Sequence, residues 1–277
     1  MFETNRFVLE QFLQTRFRNE PIKYIGSGWS SHAFRIGDYI VRFPKQNVED
    51  YLFEEEICKH LKKCLSCKTP SVKVVMDEKF PYAIHKCIEG STIQNLEQLF
   101  ESELFIKDCA ITLAQIHSFH MKGTIRSAPT DIEPDIYNLN KRLSQYFNYT
   151  SAEKMCYLYN EIKTNNTEEL VFIHADFHLG NIIINADQHI EGIIDWCNAG
   201  MGVSNEDFKF LFFKLTLNQM NALIGEYNNW GFSIDISKIR EKALIDIIDK
   251  IYWSDVEEIT DTYLSIIKDK YNEFIFK

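Results

Sequence analysis

The sequence predicts an α+β chain of two lobes. Residues 1–88 read as a five-stranded antiparallel sheet with one main helix, and residues 89–277 as a mostly helical lobe. Three observations carry this reading. Five short segments rich in β-branched and aromatic residues alternate with period two before Glu89-Gly90. Beyond Gly90, apolar residues recur at helical spacing. The stretch Phe172-Ile-His174-Ala-Asp176-Phe-His178-Leu-Gly-Asn181, with Ile193-Ile-Asp195 after a short turn, interrupts the helices with apolar runs that read as buried strands carrying polar loops.

Taken in order, residues 5–20 fit a short amphipathic helix with Phe7, Val8, Phe12 and Leu13 at helical spacing, ended by Pro21. Ile22 to Ile25 begin a strand that meets Gly26-Ser27-Gly28-Trp29-Ser30-Ser31, and a second strand leaves through Phe34 and Ile36. Two glycines let a backbone approach a phosphate and offer its N–H groups as donors, and Ser27, Ser30 and Ser31 can add hydroxyls. Tyr39 to Phe43 form a third strand stopped by Pro44. Phe53, Ile57, Leu61 and Leu65 place a helix over 51–65. Pro70 to Met76 and Tyr82 to Ile88 supply the last two strands of the first lobe. In the second, Ile106, Cys109, Ala110, Leu113, Ile116 and His117 mark a buried helix face, with His117 read as a core histidine. Residues 122–134 form a loop with Gly123, Pro129 and Pro134. The last segment, 238–277, is helical and acidic: Ala243, Leu244, Ile247, Ile248 and Ile251 form its buried face, and Asp246, Asp249, Trp253, Asp255, Glu257 and Glu258 are expected on other faces or in a turn.

Composition narrows the function classes. With 277 residues the chain can bury a large core. It contains no apolar run long enough to span a bilayer and no basic leader, so a soluble, cytoplasmic protein is expected, a monomer without a membrane partner. Seven scattered cysteines point to reduced thiols, and Cys64-Leu-Ser-Cys67 lacks the second pair that a zinc site needs. The net charge of -10 is uneven: residues 1–86 sum to +3 and the remainder to -13. An acidic second lobe argues against a nucleic-acid surface and for a cationic or neutral partner.

The organising stretch holds a carboxylate (Asp176), an amide five residues on (Asn181) and a second carboxylate after a strand-turn-strand (Asp195). Phosphoryl transfer with bound Mg²⁺ needs this set: one Asp to orient and deprotonate a hydroxyl, an amide and another Asp to hold metal. The His-x-Asp-x4-Asn spacing matches a kinase-type catalytic loop. More specifically, His174-Ala-Asp176-Phe-His178-Leu-Gly180-Asn181 resembles the catalytic loop of the aminoglycoside phosphotransferase family, and Ile-Ile-Asp195-Trp resembles its metal-binding segment. That resemblance implies a protein-kinase-like fold, ATP or GTP as donor, Mg²⁺ held by Asn181 and Asp195, and Asp176 as the catalytic carboxylate that also touches the acceptor.

The resemblance further implies that a basic residue of the third strand holds the α- and β-phosphates. Arg42 and Lys45 compete for that role, and strand alternation favours Arg42, since the proline between them turns Lys45 outward. One of Glu54, Glu55 and Glu56 should brace that residue, and Glu55, beside the apolar stripe, fits best. The backbone of Lys86 to Ile88 is implied as the hinge that meets a purine. Asp207 is implied to support the catalytic loop. The C-terminal segment Tyr252-Trp253-Ser-Asp255-x-Glu257-Glu258 resembles the region where 2''-type members receive antibiotic amino groups, and carboxylates beside aromatic rings suit a polyamine sugar. The implied reaction moves a γ-phosphate to a hydroxyl of a small cationic acceptor, an aminoglycoside in the leading reading, as in antibiotic resistance. Alternatives are a kinase of choline, ethanolamine, homoserine, a sugar or a macrolide, or a nucleotide-binding module without turnover. No long activation segment and no Ala-Pro-Glu are present, which favours a small-molecule acceptor over a protein.

Overall fold

A computed structural model describes residues 5–28, 31–45, 47–93, 103–121, 123, 125–129, 133–164, 169–254 and 257–275, except the side chains of 257–259, 273 and 274. In chain order α1 (Arg6–Arg16), β1 (Ile22–Ser27), β2 (Ser31–Ile36), β3 (Tyr39–Pro44), α2 (Glu49–Leu61), β4 (Lys73–Val75) and β5 (Tyr82–Lys86) come first. They are followed by β6 (Ser91–Thr92), α3 (Glu103–His117), α4 (Ile136–Leu143), α5 (Tyr149–Thr164), β7 (Leu170–Ile173), β8 (Ile182–Ile184) and β9 (Ile190–Ile193). The chain ends with β10 (Gly200–Val203), α6 (Lys209–Lys214), α7 (Leu217–Asn228), α8 (Ile236–Trp253) and α9 (Glu257–Ile275). Two compact units result, one formed by residues 1–124 and 179–199, the other by 125–178 and 200–277.

The first unit carries the predicted sheet, five antiparallel strands in the order β1-β2-β3-β5-β4. Alternation sends Phe34, Ile36, Val41, Phe43 and Tyr82 to one core, where Leu9 and Leu13 of α1 join them. Phe7 and Val8, expected on the apolar stripe of α1, are instead exposed at 66% and 40%. The stripe of so short a helix runs through Leu9 and Leu13, one turn apart, and the side chain of Asn5 caps its N-terminus by accepting from the Phe7 N–H. Helix α2 ends at Leu61, four residues short of expectation, yet Leu65 is buried all the same. A second sheet, β6-β8-β9, completes the unit.

In the second unit β7 pairs antiparallel with β10, Ile173 opposite Gly200. Gly200 is required there: a Cβ would lie 2.5 Å from the Ala128 nitrogen, because residues 126–128 run alongside through bonds from Met201 N–H to Arg126 O and from Ala128 N–H to Met201 O. Helix α8 is the centre of this unit, packing against α4, α5, α6, α7 and α9. Surrounded in this way, it buries Asp246 and Asp249 together with its isoleucines, which corrects the expectation that both acids lie on open faces.

Candidate active site

The loop after β7 is built in the second unit. His174 is fully buried, and Ala175 adopts a left-handed φ of +64°. A residue with a Cβ pays about 1–2 kcal/mol for that conformation. Asp207, fully buried in the turn 204–208, accepts from the backbone N–H groups of His174 (2.8 Å) and Ala175 (2.7 Å) and thereby holds it. This is the supporting position expected for Asp207. The Asp176 N–H donates to His174 Nδ1 at 3.2 Å, which places the proton of a neutral His174 on Nε2. Asp176 itself is half-buried, with His178 Nε2 3.7 Å from its Oδ2. His178 in turn meets the Phe210 ring edge-on at 5.7 Å.

In the first unit the basic residue of β3 is enclosed by carboxylates. Arg42 Nη1 donates to Asp195 Oδ1 at 2.8 Å, Nη2 pairs with Glu54, and the guanidinium lies 5.0 Å from the Tyr51 ring. Glu54, not Glu55, is therefore the partner of Arg42. The helical spacing explains the correction: Glu54 lies three residues from both Tyr51 and Ile57 on the buried face, where only a paired carboxylate is tolerated. Glu55 points elsewhere, accepting from the Val74 N–H at 2.8 Å and pairing with Lys59. Glu54 also accepts from the Trp196 N–H (3.1 Å) and the Cys197 thiol (3.4 Å), which ties α2 to the segment after Asp195. Burial pushes the Glu54 carboxyl up against the opposing pull of Arg42. Burial alone would lower the Arg42 pKa, but Glu54 and Asp195 more than offset it and raise it.

Asp195 sits at a left-handed φ of +64°, its side chain one-third exposed at 33%. Among the described residues only Arg42 bonds its carboxylate, so the second oxygen is open. Asn181, 6% exposed in the turn 179–181, adds a second oxygen donor in the same unit, and its carbonyl accepts from the Ile194 N–H at 3.0 Å. Carboxylate and amide oxygens suit a hard cation such as Mg²⁺. Ligand atoms of Glu54, Asp195 and Cys197 also converge within 4.8 Å. Arg42 already serves as the cation of that cluster, and burial raises the Cys197 thiol pKa so that it keeps its proton.

The turn between β1 and β2 is closed by Gly28 N–H to Ser31 O at 3.0 Å, and Gly26 follows a bulge in β1. A Cβ on Gly26 or Gly28 would meet nothing within 4 Å. The protein's own packing thus makes no use of their missing side chains. Ser27 is exposed and Ser31 buried, so Ser27 is the better placed hydroxyl, while Ser30 lies outside the described residues. Lys86 ends β5 exposed, its carbonyl accepting from the His85 ring at 3.0 Å, and the Cys87 N–H is taken by Asp38 O. Ile88 lies against Gly192, where a Cβ would meet its Cδ1 at 2.8 Å.

Of the expected acceptor residues, Trp253 closes α8, 53% exposed and edge-on to Tyr252. Arg142 anchors that helix end through the carbonyls of Ile251 (3.2 Å) and Ser254 (2.6 Å). Asp255 lies outside the described residues, as do the side chains of Glu257 and Glu258. A second ion network went unforeseen. Lys209 bonds Glu206 (3.1 Å) and Asp246 (3.0 Å), and Lys242 reaches Glu206 at 2.5 Å. Burial would lower the Lys209 pKa, but Asp246 and Glu206 raise it.

Five antiparallel strands with a buried Arg–Glu pair to the main helix, followed by the helical unit with its Asp-bearing loop, define a kinase-like fold of the phosphotransferase class. The chain belongs to the phosphotransferase enzyme family, whose model matches residues 21–241. Solved structures agree on the fold. The GDP complex of wild-type aminoglycoside 2'-phosphotransferase-IIIa aligns with a TM-score of 0.74 at 17% identity, covering 98% of this chain and 100% of that one. The gentamicin complex of APH(2'')-IIa aligns at 0.68 and 19% identity over 100% of both chains. Macrolide 2'-phosphotransferase type I aligns at 0.66 and 17%, over 96% of this chain and 98% of that one. No curated protein sequence matches the chain.

Proposed function

We propose that this chain transfers the γ-phosphate of ATP or GTP to a hydroxyl of a small cationic molecule, with an aminoglycoside as the acceptor. The observation that carries the reading is the loop 174–176. Two backbone N–H hydrogen bonds donated to Asp207 and one donated to the His174 ring hold Asp176 in a fixed, half-buried position, the requirement for a carboxylate that must orient a hydroxyl. Two similarly folded proteins, one in complex with GDP and the other with gentamicin, support the choice of donor and acceptor.

In this mechanism Asp176 accepts a hydrogen bond from the acceptor hydroxyl and takes its proton as the oxygen bonds to the γ-phosphorus, while the bond from that phosphorus to the β,γ-bridging oxygen breaks and the nucleoside diphosphate leaves with the electron pair. Asn181 and Asp195 supply the oxygens for Mg²⁺. When bound, the ion neutralises charge on the phosphoryl oxygens. The N–H groups of Gly26 to Gly28, the Ser27 hydroxyl and a basic side chain of the β3 segment fix the phosphates, and the Lys86–Ile88 backbone receives the base. Trp253 with Asp255, Glu257 and Glu258 receives the ammonium groups, ring face and carboxylates dividing the work. A monomeric, cytoplasmic resistance enzyme is the setting these roles fit.

The test is nucleotide turnover with Mg²⁺ and ATP or GTP against kanamycin, gentamicin, a macrolide, choline and homoserine. Stimulation by an aminoglycoside, reduced on the order of 10²–10⁴-fold in Asp176→Asn, is expected. Stimulation by the macrolide or choline instead would reassign the acceptor. Undiminished turnover in Asp176→Asn would remove that residue from its role.

A further inference from the structure

In the first unit two buried side-chain polar atoms lack a partner among the described residues, Arg42 Nε and the Tyr51 hydroxyl. They belong to neighbouring side chains, for the Arg42 guanidinium lies 5.0 Å from the Tyr51 ring. A buried donor without an acceptor is costly, and native cores contain few. Two of them together, in the unit that carries the glycine turn, point to a second state of the protein in which at least one is satisfied.

Tyr51 is well placed for such a state. It lies three residues before Glu54 on the buried face of α2 and is 2% exposed. Phenylalanine would fill the same space and face the guanidinium without burying a hydroxyl, so the packing gives no reason for the oxygen. Its neighbour is Ser31, the first residue of β2. Burial raises the Tyr51 phenol pKa, while Arg42 and, less strongly, the Ser31 hydroxyl lower it. The two hydroxyls are thus side by side, although no hydrogen bond joins them. The Ser31 carbonyl in turn accepts from the Gly28 N–H at 3.0 Å and closes the turn proposed to hold the phosphates. One ring therefore borders both the basic residue of β3 and the end of the glycine turn.

We propose that Tyr51 is a positioning residue for the glycine turn, its hydroxyl reserved for the nucleotide-bound state. When phosphates draw the N–H groups of Gly26 to Gly28 towards them, the turn settles on α2 and the Tyr51 hydroxyl donates to the Ser31 hydroxyl oxygen. That bond fixes Ser31 and, through the Ser31–Gly28 bond, the turn itself. Tyr51 needs no contact with the nucleotide for this. The inference rests on the reading of the chain as a nucleotide-dependent phosphotransferase.

Tyr51→Phe should then act in opposite directions on the free and the loaded protein. The experiment combines the melting temperature of the full chain without nucleotide with calorimetric titration in Mg²⁺ buffer by adenosine and guanosine monophosphates and triphosphates. Without nucleotide, losing an unsatisfied hydroxyl should leave the melting temperature unchanged or raise it by up to about 4 °C. The gain in affinity from monophosphate to triphosphate should fall roughly 3- to 10-fold, the range for one hydrogen bond. Ser31→Ala should reduce the gain by a similar factor, and the double variant by no more than either single one, because both remove the same bond. A lowered melting temperature in Tyr51→Phe would make the hydroxyl a structural group and overturn the assignment. So would an undiminished gain, or losses that multiply in the double variant. Absence of any nucleotide affinity in the unsubstituted protein overturns the phosphotransferase reading and this role with it, and that result is visible before a variant is made.

Discussion

Two buried ion networks, one in each unit, are built to different rules. Around Arg42 one cation faces two carboxylates, Glu54 and Asp195, so the group carries an uncompensated negative charge, with Asp195 one-third exposed. Around Lys209 two cations, Lys209 and Lys242, face two acids, Glu206 and Asp246, and the charges cancel. A cancelled network has nothing left to offer a ligand, and its work is to tie the turn 204–208 to α8. An uncancelled one is stable only because its spare carboxylate oxygen reaches the surface, where a cation can complete it. The distribution of charge, rather than the degree of burial, separates the candidate metal site from the structural pair.

The sharpest way to break this comparison is to neutralise the spare carboxylate. Asp195→Asn is expected to reduce turnover by at least about 10²-fold, as loss of a preorganised electrostatic group does. Its folding stability should change by no more than about 1 kcal/mol, because Glu54 still neutralises Arg42 and the lost partner is part-exposed. Turnover and the chemical-denaturation midpoint measured on one preparation decide it. A midpoint that falls steeply would make Asp195 a structural counter-ion.

The balanced network should respond in the opposite manner. Lys209→Met strands Asp246, whose Oδ2 already lacks a partner among the described residues, while Lys242 still pairs with Glu206. Breaking a buried pair from one side costs about 3–5 kcal/mol. Turnover per folded molecule should stay within a few-fold, since Lys209 touches none of the proposed reacting groups. Removing both charges in Lys209→Met with Asp246→Leu should recover much of the loss. If the double variant is as unstable as the single one, packing rather than charge holds α8 in place.

The two networks were unequally legible in the sequence. Asp176, Asn181, Asp195 and the glycine turn sit in short motifs whose spacing is fixed by chemistry, and the five strands announce themselves by alternation. Glu54 is legible too: its i–3 and i+3 neighbours, Tyr51 and Ile57, place it on the buried face of α2, whereas Glu55 lies at the boundary of that stripe. Lys209 and Asp246 offered no such signal. They are 37 residues apart, on helices whose approach is set by tertiary packing, and an acid within an apolar helix reads equally as a solvated face until the surrounding helices are known. The exposure of Phe7 and Val8 has the same origin, since a three-turn helix leaves more than one stripe open and the sheet beneath selects it.

The smallest effect sharpens the comparison on the balanced side. Burial alone would raise the Glu206 carboxyl, but Lys209 and then Lys242 lower it below its ordinary value of 4.5. Asp246 on α8 and Tyr263 on α9 also face this network, and the attraction of two lysines outweighs the acid. A carboxylate whose pKa is depressed by folding stabilises the protein above its unfolded value, and that contribution is lost as the pH falls through the folded one. Glu206 is 22% exposed, so its share is about 1 kcal/mol. In Glu206→Gln, stability at neutral pH should drop by that amount, and the decline from about pH 5 to pH 3 should flatten correspondingly. Denaturation midpoints of the two proteins across that range supply the measurement. An unchanged slope would mean that the lysines are neutralised chiefly by Asp246, and that Glu206 is a spectator at the edge of the network.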